Sequence, residues 1–187
     1  MKKEPVIIYT VGHSTRELRV FLKLVQGHGI TQLVDVRTIP RSRKNPQYNA
    51  KTLPQALRTS GIRYVHLPAL GGLRRAAQDS VNTGWRNTSF RGFADYMQGT
   101  EFEKGLEQIM KLASTRPSAI MCAEAVPWRC HRSLIADALT VRGVRVLHIF
   151  RPGQAREHTM TSFARVKGMR ISYPEDPGDS AQAADLD

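Results

Sequence analysis

The sequence predicts an α/β fold: a three-layer, Rossmann-like domain with a mostly parallel sheet of about five strands and helices on both faces. Three observations predict it. Short β-branched apolar runs recur along the chain, as in Val6-Ile7-Ile8-Tyr9-Thr10-Val11. Such continuous runs suit strands buried on both faces. Segments with apolar residues at helical spacing alternate with them, and that alternation makes βαβ units, which pair in parallel.

The elements follow in order. Gly12-His13 breaks the first strand. Ser14-Thr15-Arg16-Glu17 has the capping-box pattern, so Ser14 is expected to cap the first helix with Glu17 reaching back. Leu18, Phe21, Leu22 and Val25 form that helix's apolar face, and Gly27 and Gly29 end it. Gln32 to Val36 is the second strand. Arg37 to Asn49 is a polar loop, Thr52 to Thr59 a short helix and Ile62 to Leu67 the third strand. Leu73 to Arg91 is weakly patterned and reads as loop, with a helical turn at Phe93 to Met97. Thr100 is placed to cap a helix carrying Phe102, Leu106, Ile109, Met110 and Ala113, with Glu103 at the box position. Ser118 to Cys122 is the fourth strand, Ser133 to Val141 a helix and Val144 to Phe150 the fifth strand. Residues 1–150 are thus an α/β core, 151–173 an appendage on it and 174–187 an acidic tail expected to be disordered.

The chain of 187 residues is 41% hydrophobic and 24% charged, a globular balance long enough to bury a core. Two cysteines cannot make a disulfide framework at this length. The short apolar stretch after Lys2-Lys3 is no signal peptide, and nothing approaches the roughly 20 apolar residues of a membrane span. A cytoplasmic location without membrane contact is expected, with reduced thiols. Lys plus Arg number 28 against 16 Asp plus Glu, a net charge of +12. Between Arg37 and Arg91 the only acid is Asp79. That field attracts an anionic small molecule or nucleic acid, although a merely solvated surface has the same composition.

In doubly wound sheets ligands sit beyond the carboxyl ends of the strands. Four polar sets stand there: Gly12-His13-Ser14, Asp35 with Arg37, Gly71-Gly72, and Cys122 with Glu124. Cys130-His131-Arg132 opens a helix, where free N–H groups and the helix dipole stabilise an anion, a thiolate included. Arg129 and Arg132 act in the same direction. Cys122 and Cys130 are therefore candidate nucleophiles or redox centres, and a reversible disulfide between them stays open. Both also suit a buried apolar role. Glu124 and His13 are candidate acid–base groups. Gly12 and Ser14 look like an anion cradle, and Asp35 is placed to pair with an arginine or to orient His13 or a substrate hydroxyl. Arg37, Arg41, Gly71, Gly72, His131 and Arg132 complete the expected substrate contacts. Tyr48, Trp85 and Phe90 interleave with the bases and could stack on nucleobases.

A phosphatase loop needs an arginine after five residues that follow the cysteine, and Trp128 holds that position after Cys122, which excludes such a loop. Cys122, Cys130 and His131 with His13 could supply four zinc ligands. Seven intervening residues and an adjacent Cys-His match no common zinc knuckle, so no metal is expected.

Thr10-Val11-Gly12-His13-Ser14, Asp35-Val36-Arg37, Pro40-Arg41-Ser42, Leu70-Gly71-Gly72 and the stretch from Cys122-x-Glu124 to Cys130-His131-Arg132 resemble, in that order, the domain of unknown function 488 family. The resemblance runs from about Val6 to Ile149. It implies a small cytoplasmic prokaryotic protein and points to the same residues, but supplies no reaction, substrate or cofactor. Two functions follow as expectations. One is a thiol-assisted enzyme (hydrolase, transferase or redox) on a nucleotide or nucleic-acid-derived anion at the C-terminal sheet edge. The other is a nucleic-acid-binding module without catalysis. Cofactor and oligomeric state stay open.

Overall fold

The structure is a computed structural model and describes residues 5–175. The strands are Ile7–Gly12 (β1), Gln32–Asp35 (β2), Arg63–His66 (β3), Ser118–Cys122 (β4), Arg145–Arg151 (β5) and Gln154–Glu157 (β6), with Arg165–Lys167 (β7) and Arg170–Ser172 (β8) forming a separate hairpin. The helices are Leu18–Gln26 (α1), Leu53–Thr59 (α2), Thr88–Tyr96 (α3), Thr100–Ala113 (α4) and Arg132–Val141 (α5). Strand order in the main sheet is β3-β2-β4-β1-β5-β6. All its pairings are parallel except β5 with β6. No helix among the described residues is long and apolar enough to cross a membrane.

Alternation along the strands splits the core into two layers. Leu33, Ala119 and Met121 pack with Phe21, Leu24 and Val25 of α1 and Leu53 and Leu57 of α2. Val34 and Ile120 pack with Phe93 of α3, Phe102, Leu106 and Ile109 of α4, and Leu134, Ile135 and Leu139 of α5. Each of the Val, Leu, Ile, Phe and Met side chains among them contributes about 1.5–3 kcal/mol on leaving water. Burial on both faces is why the strands read as continuous apolar runs rather than as alternating ones.

Three local expectations change. Ser14 does not cap α1: Glu17 holds the cap position without a side-chain bond, and Ser14 lies at φ 52° in the strand-to-helix turn. That left-handed backbone turns residues 14–17 into a connection, so the helix starts at Leu18. Gly99, not Thr100, precedes α4, and Glu103 pairs with Arg142 at 2.6 Å instead of reaching back. The turn expected at Phe93 is the end of a nine-residue helix whose N-terminus is capped by the Asn87 side chain.

The segment after Arg151 extends the sheet by β6 and is tied to α5 through one carboxylate. Buried Asp137 accepts from Thr161 N, Thr161 Oγ1 and Tyr173 OH and bonds His158 Nε2 at 2.7 Å. The acidic tail lies outside the described residues beyond Glu175.

Candidate functional site

Parallel pairing aligns Gly12 with Cys122 and Asp35 with Met121, so the ends of β1, β2 and β4 lie side by side. The chain then leaves each strand toward one cleft of about 560 Å³. His13, Arg37, Arg41, Glu124, Cys122, Cys130 and His131 all line it.

The loop from Ala123 to His131 brings Cys130 and His131 beside Cys122. Its Pro127–Arg129 stretch is a 3₁₀ turn that brings Cys130 back to the end of β4. Arg132, fully buried at the start of α5, pins the loop by donating to the Glu124 carbonyl at 2.5 Å. Its Nη1 donates to Thr10 Oγ1 at 3.3 Å and its Nε to Cys130 Sγ at 3.4 Å. No carboxylate pairs with Arg132 among the described residues, so the nearest group able to balance its charge is the Cys130 sulfur. His131 Nε2 donates to the Val36 carbonyl at 3.3 Å, which fixes the ring. Its Nδ1 then faces both sulfurs, 3.6 Å from Cys130 and 4.0 Å from Cys122.

Both thiols are free and buried. The Cys122 S–H donating to its neighbour holds the Cys130 thiol well below the ordinary thiol range, against burial, and His131 and Arg132 add to the effect. Cys122 is pushed well above it by the same bond, then by burial. The contact thus favours the proton on Cys122 and the negative charge on Cys130.

A second network sits behind the cleft. Asp35 is completely buried and takes Arg37 in a two-pronged pair, Nε to Oδ1 at 2.9 Å and Nη2 to Oδ2 at 2.6 Å, while Tyr64 OH donates at 2.8 Å. Arg37 Nη2 also donates to the Tyr48 carbonyl and Nη1 to His13 Nε2 at 3.3 Å. Four of the five N–H groups of Arg37 are thereby committed. His13 Nδ1 donates to the Ser14 carbonyl at 2.7 Å, so both ring nitrogens are engaged. Burial, then the Arg37 charge, lowers its pKa to about 4 against the Ser14 bond that opposes them. His13 is thus neutral, stacked on Tyr48 at 4.0 Å, and committed to Arg37.

Several expected roles change on this geometry. Gly12 and Ser14 form no anion cradle: the N–H groups of His13 and Ser14 bond the carbonyls of Cys122 and Ala123. Gly12 is needed because a Cβ there would stand 1.7 Å from the Glu124 carbonyl oxygen. Gly72 lies against the His131 ring, where a Cβ would come within 2.5 Å of Nδ1, and Gly71 packs on Thr38. Asp35 and Arg132 are held back from the cleft and act through Arg37 and Cys130. His13 is no fourth ligand beside the sulfurs. Tyr48 is buried, and Trp85 packs on Phe90, Phe163 and Tyr173, so only half-buried Phe90 remains at the cleft. Glu124 and Arg41 stand exposed on the cleft wall. Arg129, read at first only as a neighbour of Cys130, lines the cleft too. Its position in a Pro-initiated turn beside a strand end was the available signal.

Among the described residues, Cys122, Cys130 and His131 are a group that could hold a metal ion, their ligand atoms lying within 4.8 Å of one another.

Fold and site define an α/β protein with two thiols and an imidazole gathered at the carboxyl edge of a parallel sheet. The chain belongs to the family described as Domain of unknown function DUF488, which matches residues 17–139. That span is shorter than the resemblance suggested: it holds the thiol loop and the Asp35–Arg37 pair but not Gly12, His13 or Ser14. No curated protein and no solved structure matches the chain.

Proposed function

We propose that this protein is a thiol-assisted enzyme acting on a nucleotide or nucleic-acid-derived anion in the 560 Å³ cleft. One observation carries the reading: Cys130 Sγ opens on that cleft with Arg132 Nε at 3.4 Å and His131 Nδ1 at 3.6 Å. A cysteine beside a buried cation, with an unprotonated imidazole nitrogen in reach to take its thiol proton, is an activated nucleophile. Cys130 attacks an electrophilic atom of the substrate, the new bond to sulfur replacing the bond to a leaving group, and water or an acceptor then takes the adduct from the sulfur and restores the thiol. Glu124, exposed on the wall, serves as acid–base group for the leaving side. Arg41, Arg129 and the remaining Nη1 proton of Arg37 hold the anionic group, and His13 keeps Arg37 in place. Cys122 supplies the proton that steadies the thiolate.

The test is a screen of nucleotides and short oligonucleotides for turnover, with mass spectrometry for a covalent adduct on Cys130. Cys130→Ser should abolish turnover and keep ligand affinity. A second reading, a binding module without catalysis, is favoured by the net charge of +12 and the arginines at the cleft. It predicts no turnover, and nucleic-acid affinity that falls steeply with salt and ignores both Cys→Ser changes.

A further inference from the structure

We propose that Cys122 Sγ, Cys130 Sγ and His131 Nδ1 together take one thiophilic divalent cation of the zinc class, whose remaining coordination position faces the cleft. The idea that this cation switches the enzyme off rests on the thiol reading above, since a bound metal occupies the lone pair that Cys130 would use for attack.

The argument is geometric. In a tetrahedral zinc site with Zn–S of about 2.3 Å and Zn–N of about 2.0–2.1 Å, a sulfur and a nitrogen ligand lie roughly 3.6 Å apart. Here the two sulfur–nitrogen distances are 3.6 and 4.0 Å, and all three donor atoms fall within 4.8 Å. Small side-chain rotations close the set. Metal-bound histidines commonly donate their second N–H to a carbonyl, and His131 Nε2 already does so to Val36. Arg132 Nε gives Cys130 the outer hydrogen bond that ligating thiolates receive elsewhere. Three protein ligands leave zinc one coordination position for a water or another exchangeable ligand. Two sulfurs favour zinc-class cations over magnesium or calcium.

Spacing argued against a metal because seven residues separate the cysteines. The 3₁₀ turn and the Arg132–Glu124 bond remove that objection by folding the loop back on itself. The other histidine cluster cannot compete. His148 bonds Thr10 and His158, and His158 bonds Asp137, so every ring nitrogen there is committed.

Binding displaces whatever proton the sulfurs hold into solvent and leaves both as thiolates. No electron is transferred.

The experiment titrates Co²⁺ into reduced, chelator-stripped protein and follows ligand-field and thiolate-to-cobalt absorption, with Zn²⁺ as competitor. One equivalent should bind. Cys122→Ser, Cys130→Ser and His131→Ala should each weaken it at least ~100-fold, because losing even an outer-shell partner costs 10–100-fold. Gly72→Ala, which keeps every ligand but crowds the His131 ring, should weaken it as well. Zn²⁺ should protect both cysteines from iodoacetamide. Circular dichroism of each variant separates ligand loss from unfolding. Absence of a saturable one-equivalent signal, or equal binding by the ligand variants that remain folded, overturns the proposal. Fast alkylation of Cys130 without metal binding removes the cation and leaves the thiol reading standing. Tight binding with sluggish metal-free thiols does the reverse.

Discussion

Replacing Gly12 with alanine is the sharpest probe of how the site is assembled. The new Cβ would lie 1.7 Å from the Glu124 carbonyl oxygen, 2.6 Å from its carbon and 2.9 Å from Ala125 Cα. A comfortable carbon–oxygen approach begins at about 3.3 Å, so the loop must withdraw by about 1.6 Å. That movement breaks the Arg132–Glu124 bond and strains the His13–Cys122 and Ser14–Ala123 backbone bonds. Overpacking costs about 1–3 kcal/mol, and the charged hydrogen bond about 1.5–3 kcal/mol. Against this, Gly→Ala stiffens the unfolded chain and returns only about 0.4–1 kcal/mol. The expected net loss is about 1.5–5.5 kcal/mol, a fall in Tm of roughly 3–22 °C for a chain of this size. Urea and thermal unfolding followed by circular dichroism read it directly. A stability within about 1 kcal/mol of wild type would show that the loop does not press on residue 12, and the account of the site would fall with it.

The remaining predictions concern charge. His13 has its pKa lowered to about 4 and His148 to about 3, burial being the largest cause for both. Between pH 6.5 and 4 the unfolded chain takes up protons that the folded chain refuses, so stability is full above pH 6.5 and declines as pH falls; His13 accounts for up to about 3 kcal/mol of this. His13→Gln should flatten the fall in urea unfolding between pH 7 and 4, and an unchanged slope would contradict the assignment. Asp35→Asn strips buried Arg37 of its carboxylate and should cost about 3–5 kcal/mol in a denaturant melt; a loss below about 1 kcal/mol would mean the pair is dispensable. Arg41→Glu and Arg129→Glu change exposed cleft residues, so stability should move by no more than about 0.5 kcal/mol. Nucleotide affinity, read by calorimetry, should drop and lose part of its salt dependence, and unaltered affinity would place the anion elsewhere.

Much of the fold was legible because it rests on local pattern. Val6 to Val11, Gln32 to Val36 and Ser118 to Cys122 are apolar runs that only a doubly covered sheet explains, and their order set the parallel pairing. Gathering Cys122, Glu124, Cys130, His131 and Arg37 at one edge was readable from the same rule about strand ends. Other details were not. The capping pattern at Ser14 was sound chemistry in the wrong place, because the bond from Ser14 N to the Ala123 carbonyl holds residue 14 in a left-handed turn. Tyr48 and Trp85 were read as stacking surfaces, but burial of a large ring against distant partners leaves no mark on its neighbours in the chain.

By itself, then, the sequence determined the strand and helix order, the buried faces and the set of chemically able residues that reach the carboxyl edge. Those follow from periodicity and from backbone geometry, which act over a few residues. Only the tertiary structure decided where each residue stands: Arg132 as the cation beside the Cys130 sulfur, His13 bonded to Arg37, Gly12 as clearance for a carbonyl, and two cysteines eight positions apart facing one imidazole. Those placements depend on distances of 2.5 to 4 Å between segments far apart in sequence. Hydrogen bonding and desolvation change sharply over such distances, and no local pattern encodes them.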